Sequence, residues 1–404
     1  MLYSRETMRS FKMKKILLSV ILAVFVYFSS QAAEQEDLSI IRRAGNKHGI
    51  LCKYKNKKTI LFIEGSPKQM GQAHGQLLKS DIKGMEKTLL GAATAYMASK
   101  GDSFFTRINE VMRRTSPFMP RRFLVECDAM SKAAGITAQA GRQINYFPEM
   151  VHCSGVAVRG SATTKGQVVH ARVLDYMEEV NLHKYAAVMV FMPEKYNNWV
   201  SVSYAGFVGT VTAMNEKGLA MGEMGGKGQG KWDGLPMSFM MRRVMEECAT
   251  VEEAVALMKK TPLTCNYYYI LSDKNKSMRG VIAIAGSPLE ILKPGEQNKF
   301  LPPVPKDTVY ISEGKRSKLL GKRLHENFGK IDAKKMIDII KHPVAMKSNL
   351  QNAVFLPESL TFYFADAGDK TLACFMPYYK LNLKELIKFY KANKNNLQNL
   401  PGND

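Results

Sequence analysis

A cysteine at position 153 opens the stretch "CSGVAV", and about twenty residues on the chain reads "HARVLDY", with Arg172 and Asp175 near its end. A thiol is a modest nucleophile at neutral pH until a base removes its proton. Seven histidines are present, but none sits in a context recognisable as the base of a thiol–imidazole pair. His152 is adjacent to Cys153, where successive side chains of a strand point to opposite faces. The other available base is the chain's own α-amino group, with an ordinary pKa of about 8. That amine exists only if the His152–Cys153 bond is cut. Two readings follow: Cys153 is one more buried sulfur, or it becomes an N-terminal nucleophile.

The elements around these residues change character at the cysteine. Lys12, Lys14 and Lys15 precede an apolar run from Ile16 to Phe28, followed by "SSQAAEQ". This is the pattern of a cleavable export leader over residues 1–32, too short to span a bilayer. A secreted or periplasmic location follows, with no stable membrane anchor. Loss of the leader removes five basic residues and one acidic residue, so the formal charge of +22 falls to +18. Such a balance fits solubility, attraction to anionic envelope surfaces or steering of an acidic substrate. No basic run with interleaved aromatics appears, so nucleic acid is not a partner. The six cysteines make no scaffold pattern, and no metal-ligand spacing or cofactor motif occurs.

Residues 33–152 read as a mainly helical prosegment, with apolar positions recurring every three or four residues in "SPKQMGQAHGQLLKSDIKGMEKTLLGAATAYMAS". A helix in "PRRFLVECDAMSKAAG" stops at Gly135. Residues 153–404 read as short strands and hairpins, interrupted by two helices, the second capped by Thr250 and Glu253. "GGKGQGKWDG" reads as a flexible loop, "DAKKMIDIIKHP" as a helix capped by Asp332, "LTFYFADAGDKTLACFM" as a hairpin, and the end as a basic tail. Strands in hairpins with interspersed helices indicate an α+β layered domain of antiparallel sheets.

Six segments in order resemble the cysteine branch of the N-terminal nucleophile hydrolases. They are "EGSPKQMGQAHGQLL", "AAGITAQAGRQINYFPE", "CSGVAV", "HARVLDY", "YAGFVGTVTAMNEKGLAMGEM" and "NYYYILSDKNKS". The likeness is to the acyl-coenzyme A:6-aminopenicillanic acid acyltransferase group (peptidase family C45), and more distantly to choloylglycine hydrolases and acid ceramidase. It implies a four-layer αββα sandwich, and autoproteolysis between His152 and Cys153 that leaves the prosegment bound as an α-chain. It further implies Cys153 as nucleophile, its freed amine as base, Asp175 as acceptor orienting that amine, Arg172 beside the thiol, and Asn266 as oxyanion donor. Arg316 in "GKRSKLLGKRL" matches a supporting arginine. In a strand, residues three apart do not share a face, so Arg172 and Asp175 need a bulge or turn at Leu174–Asp175 to converge.

On the residues alone, Arg172 and Asp175 also read as a surface ion pair, Asn266 as a strand cap and Arg316 as a solvated helix charge. Val173 stands where the family usually has asparagine. Gly225 stands where bile-salt hydrolases carry a second oxyanion asparagine, which points away from them and toward the autoprocessed branch. The implied activity is hydrolysis, or acyl transfer, of a linear non-peptide amide such as an N-acyl amino acid or acylated amine. The rival readings are a bile-salt or lipid-amide hydrolase, a Cys–His protease, and a non-catalytic envelope-binding protein. Oligomeric state is left open.

Overall fold

The computed structural model describes residues 37–99, 104–146, 152–176, 181–296 and 302–395. The expected leader lies outside the described residues. The N-terminal segment read as mainly helical does carry five helices among its described residues, but three strands the sequence did not mark come first. β1 (Leu38–Arg43), β2 (Gly49–Tyr54) and β3 (Lys58–Gly65) form an antiparallel meander. β2 and β3 are apolar on both faces, Ile50, Cys52, Ile60 and Phe62 entering one core and Leu51, Leu61 and Ile63 another. A strand buried on both sides loses its alternation, so periodicity does not mark it. The turn between them holds Lys55 and Asn56 at positive φ (51° and 56°), the geometry of a tight hairpin turn usually announced by glycine.

Helices follow: α1 (Pro67–Leu77), α2 (Lys79–Ser99), α3 (Phe104–Thr115), α4 (Arg121–Ala134) and α5 (Ala138–Tyr146). Pro67 starts α1 at a position where its missing N–H costs nothing. Gly135 ends α4 with a φ of 75°. Gly71 and Gly75 of α1 lie against α4 so closely that a β-carbon on either would stand 2.2 Å from a carbonyl oxygen, of Glu126 and Met130 respectively. The glycines of "GQAHG" therefore serve helix contact.

After these helices come the hairpin β4 (His152–Gly160) and β5 (Gly166–Asp175), then β6 (Ala186–Pro193), β7 (Trp199–Tyr204), β8 (Thr212–Asn215) and β9 (Leu219–Gly230). Next are α6 (Met237–Glu247) and α7 (Val251–Lys260), the latter capped by Thr250 Oγ1, which accepts from the Glu253 N–H at 3.2 Å. β10 (Cys265–Asp273), β11 (Met278–Ala283), β12 (Glu290–Leu292) and β13 (Thr308–Ile311) lead to α8 (Gly314–Glu326) and α9 (Ala333–Ile339), where Asp332 caps as expected. β14 (Asn349–Leu356), β15 (Thr361–Asp366), β16 (Tyr379–Asn382) and α10 (Leu383–Asn393) complete the order.

Three local expectations change. The backbone of "GGKGQG" continues β9, with Gly230 paired to Cys265. β15 pairs with β14 and β16, while residues 373–375 form a short 3-10 turn. The basic end carries α10, whose Phe389 and Tyr390 lie against Phe62 at ring separations of 5.9 and 5.7 Å.

One sheet runs β1-β2-β3-β6-β7-β8-β9-β10-β11-β12, the other β13-β4-β5-β14-β15-β16. Every pair is antiparallel except β3 with β6. Residue parity defines the layers. Leu61, Ile63, Met189 and Phe191 pack with the α1–α6 helices, and Ile60, Phe62, Val188 and Val190 face Phe355, Phe362 and Phe364 of the second sheet. Val156, Val158, Val169, Ala171 and Val173 turn outward to α8 and α9. The result is the expected four-layer helix–sheet–sheet–helix α+β sandwich. The segment before β4 supplies five helices of one outer layer and three strands of the larger sheet.

Candidate active site

Because Val169, Ala171 and Val173 of β5 face outward, His170, Arg172 and Leu174 must face the larger sheet. On β4 the same parity sends Cys153, Gly155 and Ala157 inward. Two glycines make room there. A β-carbon on Gly155 would meet Met224 Sδ at 2.5 Å, and one on Gly222 would meet Arg172 Cγ at 2.7 Å. The Arg172 guanidinium fills the gap so left. Its Nη2 donates to Cys153 Sγ at 3.2 Å and to Glu223 Oε2 at 3.1 Å, and its Nε donates to the Glu223 carbonyl at 3.1 Å. Arg172 is 1% exposed and Glu223 fully buried. The structure thus brings Cys153 and Arg172 together. It also adds Glu223, which the sequence reading passed over inside "GLAMGEMG". A lone acid in an otherwise apolar strand was the available signal, since a buried charge has to be paired.

The Cys153 thiol is buried and unbridged. Burial pushes its pKa up to about 12; Arg172 pulls it down, the Glu223 and Asp175 carboxylates push it up, and a backbone hydrogen bond at Asp175 lowers it. In the continuous chain the sulfur is a thiol at neutral pH and needs a base. The six histidines whose side chains are described do not supply one by contact. His170 Nδ1 bonds Ser272 Oγ at 2.7 Å, and His74 Nε2 accepts from the Gly206 N–H at 3.0 Å. Burial lowers both imidazoles to about 3. His183 and His342 meet Asp369 and the Ala345 carbonyl, and His325 meets Pro303.

Asp175 lies on the other face. The β4–β5 register runs unbroken from His152↔Asp175 to Val158↔Val169, so the bulge required for Arg172 and Asp175 to converge is absent from that pairing. The irregularity sits across β5 from β4, where the β14 register shifts between Asn349 and Gln351. Arg316 links the two halves instead. From the first turn of α8 it forms an ion pair with Asp175 Oδ2 and donates through Nη2 to the Cys153 carbonyl at 2.9 Å. Asp175 Oδ1 accepts from the Met346 N–H at 3.0 Å and from Asn349 Nδ2 at 3.2 Å. Burial raises the Asp175 pKa, and these three partners oppose it. Neither the surface pair nor the solvated helix charge describes these residues: Asp175 is 2% exposed, and the Arg316 side chain 11%.

Asn266 is the candidate the contacts leave apart. It is half-buried at an irregularity between Cys265 and Tyr267, and its Oδ1 accepts from the Ala285 N–H at 2.9 Å. The backbone of His152 starts β4.

A cavity of about 50 Å³ adjoins Arg172. Its walls are mostly apolar: Met85 and Leu89 from α2, Ile144 from α5, and Phe207, Val211 and Leu350 from the chain beyond β5. The larger cleft, about 670 Å³ around Lys231, Leu263 and Gly286, holds none of these candidate site residues.

Comparison with known proteins agrees with the resemblance read from the sequence. The family described as acyl-coenzyme A:6-aminopenicillanic acid acyl-transferase matches residues 162–301, a span that contains Arg172, Asp175, Glu223 and Asn266 but begins after Cys153. The chain is 24% identical over 368 residues to protein dcd1B of Dictyostelium discoideum, covering 80% of this chain and 73% of that protein. It is 24% identical over 175 residues to the N-acylethanolamine-hydrolyzing acid amidase of Mus musculus, covering 41% of this chain and 47% of the amidase. Among solved structures, a Caenorhabditis elegans N-acylethanolamine-hydrolyzing acid amidase ortholog aligns with a TM-score of 0.41 at 18% identity, covering 51% of this chain and 93% of that one.

Proposed function

We propose that this acyltransferase-like chain is an exported cysteine amidase of the N-terminal nucleophile type, activated by its own cleavage. The observation that carries the reading is the Arg172–Cys153 contact at 3.2 Å at the head of an inward-facing strand, beside an apolar cavity. With the thiol held near a pKa of 12 and no described imidazole against it, a base has to be created. Scission creates it.

In that step Sγ attacks the His152 carbonyl carbon and the Cys153 nitrogen leaves as an amine, giving a thioester. Water then opens the thioester to the His152 carboxylate and a free thiol. The new amine, with an ordinary pKa of about 8, takes the thiol proton. Arg172 stabilises the thiolate by charge. The Asp175–Arg316 pair, anchored on the Cys153 carbonyl, holds the residue's backbone in place. The thiolate attacks the acyl carbon of a bound amide. The ammonium protonates the leaving amine, and water releases the acyl group from sulfur. The family resemblance, rather than a contact, assigns Asn266 Nδ2 as oxyanion donor, a group worth about a hundredfold or more in rate.

The substrate is an N-acyl amino acid or acylated amine, in line with the name of the mouse relative. On the scale of about 10–15 Å³ per water-sized group, the 50 Å³ cavity accepts a short acyl chain. A steroid acid needs far more, so the bile-salt reading is the weaker one. Export favours hydrolysis over transfer, because acyl-coenzyme A is scarce outside the cytoplasm.

The test is mass spectrometry of the purified protein combined with an assay on short N-acyl amino acids. Two fragments are expected, the larger beginning Cys-Ser-Gly-Val. Cys153→Ala should give one chain with activity reduced by about a thousandfold or more. An active preparation that is a single chain, or activity that survives Cys153→Ala, would remove the reading.

A further inference from the structure

Two hydrogen-bond donors in the wall of the acyl cavity are left over from the arrangement described above. Arg172 spends Nε and Nη2 on Glu223 and the sulfur, and its Nη1 is buried with no partner among the described residues. The Tyr204 hydroxyl, at the end of β7, is also buried and unpartnered among them. Tyr204 is 6% exposed and Arg172 1%. Both line the same cavity. Burial raises the Tyr204 pKa well above 10, so the hydroxyl keeps its proton and can donate.

Apart from these two and Tyr176, the wall is aliphatic or phenyl. A plain alkyl chain would shut both donors away from water with nothing to bond, and an unmade buried hydrogen bond costs more than a made one returns. An oxygen on the acyl chain would meet both needs. Its position is constrained as well. Nη1 and Nη2 share one carbon, and Nη2 touches the sulfur that takes the acyl group, so an oxygen at Nη1 belongs within a few bonds of the acyl carbonyl.

We infer that Arg172 Nη1 and Tyr204 Oη form a polar subsite in the acyl cavity, which selects acyl groups bearing a second acceptor oxygen near the carbonyl (oxo-, hydroxy- or alkoxyacyl). This rests on the amidase reading for the orientation of the acyl group. It deepens that reading by naming the kind of acyl chain.

Calorimetry on Cys153→Ala, which can bind without turnover, compares N-acetoacetylglycine with N-butyrylglycine, probes of equal chain length. The acetoacetyl probe should bind about tenfold tighter or better, the value of one well-made hydrogen bond to a buried donor. Adding Tyr204→Phe should shrink the preference to less than about threefold, leaving the butyryl probe unchanged or tighter. Equal affinity for the two probes or a preference that survives Tyr204→Phe would overturn the subsite. Should the uncleaved variant bind neither probe, or the double variant not fold, the wild-type ratio of kcat/KM for the two probes decides, and a ratio near one overturns the subsite. Failure of the amidase reading looks different: the acetoacetyl probe would bind selectively while the wild-type protein turned over neither.

Discussion

Two arginines are buried to the same degree in this molecule, and they are treated in opposite ways. Arg242, on α6, is fully paired. Its Nε meets Glu246 at 2.8 Å, Nη2 meets Glu126 at 2.6 Å, and Nη1 meets both Glu126 at 3.0 Å and the Val208 carbonyl at 2.8 Å. The rings of Phe123, Phe191 and Trp199 pack around it. Arg172, between the sheets, has one carboxylate, a carbonyl, a neutral thiol and a nitrogen with no described partner. A buried charge is tolerated when its donors are matched. Arg242 meets that condition and ties α4 of the N-terminal segment to α6. Arg172 falls short of it, and the shortfall lies beside the sulfur, where a thiolate and a substrate oxygen would complete the set.

The contrast breaks most visibly at the matched arginine. Arg242→Met leaves Glu126 buried without its ion-pair partner while Glu246 keeps Arg122 at 3.1 Å, and breaking such a pair costs about 3–5 kcal/mol. Chemical denaturation should show that loss. In the cleaved protein the N-terminal fragment should dissociate on gel filtration, with chemistry per intact molecule little altered. A cost below about 1 kcal/mol would mean the cluster does not hold the N-terminal segment. At Arg172 the balance should reverse. A lysine keeps the charge but cannot span sulfur, carboxylate and carbonyl as the planar fork does. Acylation measured by rapid quench should fall about a hundredfold, roughly 2.7 kcal/mol of barrier, with less loss of stability than Arg242→Met causes. If Arg172→Lys unfolds the protein more than it slows it, the two arginines do the same job.

How far the sequence disclosed this depends on how local each signal is. The cysteine, Arg172, Asp175 and Arg316 were legible as a set because a resemblance carried them. The residues alone left the last three as surface or helix charges. Strand parity correctly kept Arg172 and Asp175 on opposite faces. What it could not show was that Arg316, 141 residues further on, would bridge them. Glu223 was hidden for the same reason: its partner is set by the stacking of two sheets, which no spacing along one strand reports. β2 and β3 were missed because both their faces are buried and their turn uses lysine where glycine is the usual mark. α10 was missed behind a lysine- and asparagine-rich ending, although Leu383, Leu386, Ile387 and Tyr390 recur at helical spacing.

The smallest expected effect sharpens the comparison from the side of the N-terminal helices. His74 of α1 accepts the Gly206 N–H through Nε2 and lies in the field of Arg242. A proton there would remove the acceptor and set a second cation beside the first, so burial and Arg242 hold its pKa down at about 3. In the unfolded chain it returns to about 6.5. Between those values the unfolded state binds the extra proton, so stability is fully present above about pH 6.5 and lost as pH falls toward 3, by up to about 1.4 kcal/mol per unit. His170, lowered to about 3 by burial alone, contributes a parallel loss from between the sheets. Carboxylates add their own titration below about pH 5, so the informative quantity is a difference. His74→Gln can still accept from Gly206 through its amide oxygen but does not titrate. Between pH 6.5 and 5, urea denaturation should show a shallower fall for His74→Gln than for the wild type, by about 1 kcal/mol per unit. Identical slopes would mean that His74 already shares its proton in the folded state, and that the matched arginine tolerates a second charge it was argued to exclude.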